Sequence, residues 1–133
     1  MQATADSTSR DNLRGRRVLV VEDESEIRLA LTRRLTAAGY DVLTASDGES
    51  APQAAIEGQP DLVLLDIGLP GDDGYSVAKR LRSNPRTSDI PIVFLTARSG
   101  DLQIAQQVKP AGYVIKPYRA EELLEVVSRV LQQ

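Results

Sequence analysis

The sequence predicts a doubly wound α/β domain: a five-stranded parallel sheet with helices on both faces. Short aliphatic runs recur along the chain, separated by longer segments with helical spacing. Four of these runs are almost continuously apolar, as parallel strands covered on both faces must be. The chain has 133 residues, which accommodates one such core and not two.

The expected strands are Val18 to Val21, Val42 to Thr44, Leu62 to Leu65, Ile92 to Leu95 and Tyr113 to Ile115. Before them, Met1 to Arg16 is polar and without apolar period, which predicts a flexible tail, with residues 17–133 forming the domain. Arg10, Arg14, Arg16 and Arg17 read as a solvated run in preference to a binding arm. Ile27, Leu31 and Leu35 repeat every four residues and Gly39 follows at a C-cap position, so the first helix spans Ser25 to Ala38. Its Arg28, Arg33 and Arg34 read as a solvated face before a docking face. Pro52 is tolerable only in a first turn, so the second helix starts at Ser50 and runs to Glu57. Asp73 is a suitable N-cap for the third, which turns Val77, Ala78 and Leu81 inward until Asn84 and Pro85 stop it. Between Thr96 and Tyr113 only Leu102 to Val108 remains for a helix, about two turns, so a short or irregular one is expected there. The last helix, Ala120 to Leu131, carries Leu123, Val127 and Val130 on one stripe.

Composition narrows the chemistry. The chain is 41% hydrophobic and 26% charged with a formal net charge of −3, an ordinary globule without the basic footprint of a nucleic-acid binder. It contains no Cys and no His, which removes disulfides, thiolate nucleophiles, imidazole catalysis and the usual zinc sites. No apolar run approaches the roughly 18 residues of a membrane helix, and the polar start lacks a secretory signal. A cytoplasmic location is expected, with no membrane partner.

Such sheets bind ligands beyond the carboxyl ends of their strands. There the first strand is followed by Glu22 and Asp23, the third by Asp66, the fourth by Thr96 and the fifth by Lys116 and Pro117. If those four strands are neighbours, the groups converge. Three close carboxylates repel unless a cation sits among them, and an all-oxygen site suits Mg²⁺. A lysine and a hydroxyl beside it are suited to a phosphoryl group, which points to a carboxylate nucleophile attacking phosphorus. The first turn, Glu22-Asp23-Glu24-Ser25, has no glycine cradle and would repel a bare pyrophosphate.

Four stretches carry a resemblance: 18–24 (VLVVEDE), 61–74 (DLVLLDIGLPGDDG), 91–97 (PIVFLTA) and 112–118 (GYVIKPY). In this order, each at a strand end, they make the chain similar to the receiver domains of two-component response regulators, the CheY-like fold with flavodoxin-like topology, from Arg17 to Leu131. The resemblance implies Asp66 as phosphoacceptor. It implies Asp23 and Asp66 as metal ligands, with Glu22 reaching the ion directly or through water and the Gly68 carbonyl completing the set. Thr96 and Lys116 would contact the phosphoryl group, Thr96 and Tyr113 would act as the switch pair, and Gly68 and Arg98 would modulate access of the hydrolytic water. A cis bond between Lys116 and Pro117 is implied as well. Plainer readings stand beside these: a strand-end carboxylate or cap for Asp66, a surface ion pair for Lys116, a β-former for Thr96, packing for Tyr113. Asp72 and Asp73 suit turn and cap roles better than metal ligation. Departures from the family pattern are Asp72 in place of an apolar residue, Pro52, Arg119 at the last N-cap, and Lys109-Pro110-Ala111-Gly112 before the tyrosine.

The expected function is a phosphoreceiver, not an enzyme acting on other molecules. A sensor histidine kinase or a histidine phosphotransfer protein donates the phosphoryl group, Mg²⁺ is the cofactor, and output passes to a downstream protein by conformational change, without direct nucleic-acid contact. The chain has no room for an effector domain, so it is expected to stand alone or to be part of something longer. Two alternatives remain: a phosphorylation-independent binding module on the same fold, and an aspartyl-phosphate phosphatase, disfavoured because Gly68 stands where such enzymes place a second Asp.

Overall fold

The computed structural model describes residues 15–68, 73–97 and 106–132. Five parallel strands, β1 (Arg17–Val21), β2 (Asp41–Ala45), β3 (Leu62–Asp66), β4 (Ile92–Thr96) and β5 (Gly112–Ile115), form one sheet in the order β2-β1-β3-β4-β5. The described helices are α1 (Ser25–Ala37), α2 (Ala51–Gly58), α3 (Gly74–Ser83) and α4 (Ala120–Leu131). Register runs Val21 beside Leu65 and Asp66 beside Leu95, so the strand ends are level where β1, β3 and β4 meet.

Strand pleating sends alternate side chains to opposite faces. Val18, Val20, Leu62, Leu64, Val93 and Leu95 pack with Leu31 and Leu35 of α1 and with Leu123, Val127 and Val130 of α4. Leu19, Val21, Val63, Leu65, Ile92 and Phe94 pack with Ala51 and Ala55 of α2 and with Val77, Ala78 and Leu81 of α3. The three central strands are buried on both faces, apart from Arg17 at the start of β1, whereas the β2 edge is half-exposed. That difference is why its run is the least apolar of the first four.

The expected caps hold with small shifts. Gly39 takes φ +99° after α1, which ends one residue earlier than expected, with Ala38 as C-cap. Asp73 accepts the Ser76 N–H at 2.8 Å. Ser50 precedes α2 instead of opening it, because Asp47 Oδ1 accepts both its N–H and its hydroxyl, at 2.8 and 2.7 Å. Pro52 thus falls within the first turn, and α2 is only eight residues long. Arg119 caps α4 with an extended backbone and no side-chain capping bond.

Two arginines depart from the solvated run. Arg17 donates to Asp41 Oδ2 at 3.2 Å and to the Gly58 carbonyl at 2.6 Å, and Arg16 lies 3.5 Å from Asp61. A polar sequence looks alike whether its partner is water or a carboxylate across the sheet. Met1 to Arg14 of the expected tail lie outside the described residues, as does most of the Leu102 to Val108 segment. Its described end, Gln106–Val108, is a single 3₁₀ turn that buries Val108. Among the described residues no helix is long and apolar enough to cross a membrane.

Candidate phosphoryl-transfer site

The strand order makes β1, β3, β4 and β5 consecutive, so the five polar residues identified at their carboxyl ends lie together at one end of the sheet. Glu22 leaves the end of β1 with its N–H bonded to the Ala45 carbonyl of β2. Asp66 closes β3, Thr96 closes β4, and the Lys116 N–H donates to the Thr96 carbonyl at 2.7 Å. Oxygens of Glu22, Asp23 and Asp66 all lie within 4.8 Å of one another.

Asp66, only 6% exposed, has both oxygens engaged: Oδ2 by Lys116 Nζ at 2.8 Å and Oδ1 by the Gly68 N–H at 2.9 Å. The ammonium and the turn after β3 therefore orient this carboxylate. Glu22 is the contrast. It is 1% exposed, its Oε2 accepts a long 3.4 Å bond from the Glu24 N–H, and its Oε1 has no hydrogen-bond partner among the described residues. Burial first, then the adjacent Asp66 carboxylate, raises the Glu22 carboxyl from 4.5 to about 8. Burial alone would lower the Lys116 ammonium, but the bond and charge of Asp66 outweigh it and hold it above its ordinary value.

A buried oxygen without a donor, among carboxylates that cannot all ionise cheaply, is what a hard cation would relieve. The donor set is all oxygen, so the residues present fit Mg²⁺.

Of the remaining residues, Thr96 is buried at the end of β4 and Gly68 is exposed. Tyr113 lies half-buried on β5 with its ring stacked on Phe94, centroids 6.2 Å apart, and Phe94 meets Tyr75 of α3 at 5.5 Å. The Lys116-Pro117 bond is cis. Arg98 lies outside the described residues, as does Asp72.

Two contributors escaped the sequence reading. A Cβ on Gly74 would come within 2.7 Å of the Asp66 carbonyl oxygen and of Ile67 Cα, so only glycine lets α3 begin this close to the acceptor strand. The Asp-Gly pair at 73–74 was its visible signal. Arg28 donates from Nη1 to the carbonyls of Glu22 at 2.9 Å and Asp23 at 3.3 Å. Nothing in the helical pattern distinguishes it from Arg33 or Arg34.

Residues 18–128 match the response regulator receiver domain family. The chain is 40% identical over 120 residues to the DNA-binding dual master transcriptional regulator RpaA of Synechocystis sp., covering 88% of this chain and 49% of RpaA. It spans about half the length of the curated relatives it matches. Vibrio cholerae chemotaxis protein CheY4 superposes with a TM-score of 0.83 at 31% identity, covering 87% of this chain and 98% of that one. The receiver domain of sensor histidine kinase PA1611 from Pseudomonas aeruginosa, solved with a magnesium ion coordinated in its active-site cleft, gives 0.82 at 30% identity, covering 90% and 99%. Sequence match and shared architecture fall on one family along nearly the whole described chain: this protein belongs to the response regulator receiver domains.

Proposed function

We propose that Asp66 is the phosphoryl acceptor of this receiver. The observation that carries the reading is the pairing of Asp66 with Lys116 beside a buried, partner-poor Glu22. A carboxylate oxygen of Asp66 attacks the phosphorus of a phosphohistidine donor, the P–N bond breaks, and the imidazole leaves with its electron pair. The product is an acyl phosphate, which water hydrolyses to inorganic phosphate and the free carboxylate. Lys116 and the Thr96 hydroxyl hold phosphoryl oxygens, so their donors act on charge as it develops. Glu22, Asp23 and Asp66, with the Gly68 carbonyl, would hold Mg²⁺, whose charge offsets that of the phosphoryl oxygens.

The donor is a sensor histidine kinase or a histidine phosphotransfer protein, and the setting is the cytoplasm. Output goes to a protein partner, without nucleic-acid contact by this domain, through a population shift in which Thr96 moves toward the phosphoryl group and Tyr113 turns inward. Gly68 has no side chain to orient the hydrolytic water, and Arg98, placed by sequence alone, modulates its access. The chemistry is confined to the domain's own phosphorylation and dephosphorylation.

Incubation with acetyl phosphate, with and without Mg²⁺ and read by intact mass, tests the reading. A single Mg²⁺-dependent, hydroxylamine-sensitive adduct is expected. Donor turnover without an adduct would favour a phosphatase, and no label at all a binding module.

A further inference from the structure

From the two carbonyl contacts of Arg28 we infer that this residue is a positioning residue for the metal site: it fixes the peptide planes on either side of Asp23 and so aims the Glu22 and Asp23 carboxylates. The inference rests on the metal-dependent phosphoacceptor reading.

Arg28 stands in the first turn of α1, where a cation opposes the helix dipole and is ordinarily disfavoured. Its main chain is fixed at both ends: its N–H donates to the Glu24 carbonyl at 2.9 Å and its carbonyl accepts the Thr32 hydroxyl at 2.8 Å. Helical side chains lean toward the N-terminus, and this one folds back past its own helix start to the end of β1. There Nη1, which carries two hydrogens, serves the carbonyls of Glu22 and Asp23.

Those two carbonyls lie just beyond the end of β1. They belong to the peptide units 22–23 and 23–24, which flank the Asp23 Cα. Holding both units restricts φ and ψ at Asp23, and with them the direction of its side chain and of the Glu22 side chain before it. The N-cap residue Glu24 makes no side-chain cap bond, so the turn is not held by the usual helix-start device. A guanidinium suits the task because its hydrogens are set in a plane at fixed angles and it stays charged.

The two ways in which Arg28 could affect the metal have opposite signs. As a nearby positive charge it would repel Mg²⁺, so its removal would tighten binding. As the holder of the loop it preorganises the ligands, and its removal would weaken binding by about tenfold, the scale seen when partners that orient metal ligands are lost.

The test titrates Mg²⁺ into the wild-type chain, Arg28→Ala, Arg28→Lys and the exposed-site control Arg33→Ala, following tyrosine fluorescence and amide NMR shifts. Acetyl phosphate labelling is measured against Mg²⁺ concentration in parallel. For Arg28→Ala the Kd for Mg²⁺ is expected to rise about tenfold, with the half-saturating Mg²⁺ for labelling shifted equally and the maximal rate largely recovered at saturating Mg²⁺. Arg28→Lys, which keeps the charge without the planar fork, should fall between, and Arg33→Ala should match wild type. If Arg28→Ala does not fold, a wild-type Kd in folded Arg28→Lys would overturn the inference. So would an unchanged or tighter Kd in folded Arg28→Ala. A wild-type chain that shows no Mg²⁺ response would overturn the functional reading itself.

Discussion

The two ends of the sheet use the same kinds of side chain to opposite effect. At the amino ends of the strands, Arg17 meets Asp41, the Gly58 carbonyl and, through its main-chain N–H, Asp61 Oδ2 at 2.7 Å. Arg82 of α3 donates to the carbonyls of Val108 and Ile90 at 2.7 Å, of Ser88 at 3.0 Å and of Lys109 at 3.3 Å, tying the starts of β4 and β5 to α3. These cations meet fixed acceptors in the protein. At the carboxyl ends, three carboxylates share a pocket with Lys116, whose Nζ is committed to Asp66, and Glu22 Oε1 has no donor among the described residues. The matched end contributes stability, whereas the mismatched end gives up some stability and leaves electrostatic room for a cation and a phosphoryl group.

Substitutions at the two ends should therefore separate chemistry from stability. The largest effect is expected from Asp66→Asn, which removes the nucleophile: acetyl phosphate labelling, read by intact mass, should vanish while the fold persists. Full labelling of that variant would move the acceptor elsewhere. At the opposite end, Arg82→Ala strips four main-chain carbonyls of their donor and should cost about 2 kcal/mol in urea unfolding. Its labelling rate should equal wild type, and a parallel loss of labelling would show that the two ends are not independent.

Glu22 allows a finer test by pH. Its native pKa of about 8 lies above its ordinary 4.5, so between those values the native state binds more protons than the unfolded chain. Stability of the metal-free protein should then fall as pH rises through that window. Glu22→Gln should flatten this part of the curve, as measured by thermal melts across a pH series. A wild-type profile already flat there would contradict the buried-carboxylate account. The smallest effect belongs to Arg17→Ala: its contacts are exposed, so the loss should be no more than about 1 kcal/mol and should shrink with added salt.

How much of this was legible in the sequence depends on the range of the interaction involved. Continuous apolar runs identify β1, β3 and β4, since burial on both faces acts on each strand separately, and local signals placed the ends of α1 and α3 through Gly39 and Asp73. The pocket residues were visible because each lies at, or within two residues of, the carboxyl end of its strand. Boundaries moved where a local competitor intervened, as when the Asp47 turn held Ser50 outside α2.

The sequence by itself thus determined the strands, the helix faces and the residues at the strand ends, all properties of neighbours along the chain. Tertiary structure alone decided what those residues meet. Lys116 reaches Asp66 across 50 positions, and the order β2-β1-β3-β4-β5 makes that contact possible. Arg16, Arg17, Arg28 and Arg82 look alike in a composition count. One lies against Asp61, another bonds Asp41 and Gly58, a third the loop that carries Glu22 and Asp23, and the last the starts of two strands. Hydrophobic periodicity records which side of an element is buried, because burial is an average over many neighbours. It carries no record of which acceptor a charged group will find, because that is set by a few ångströms between segments far apart in the chain.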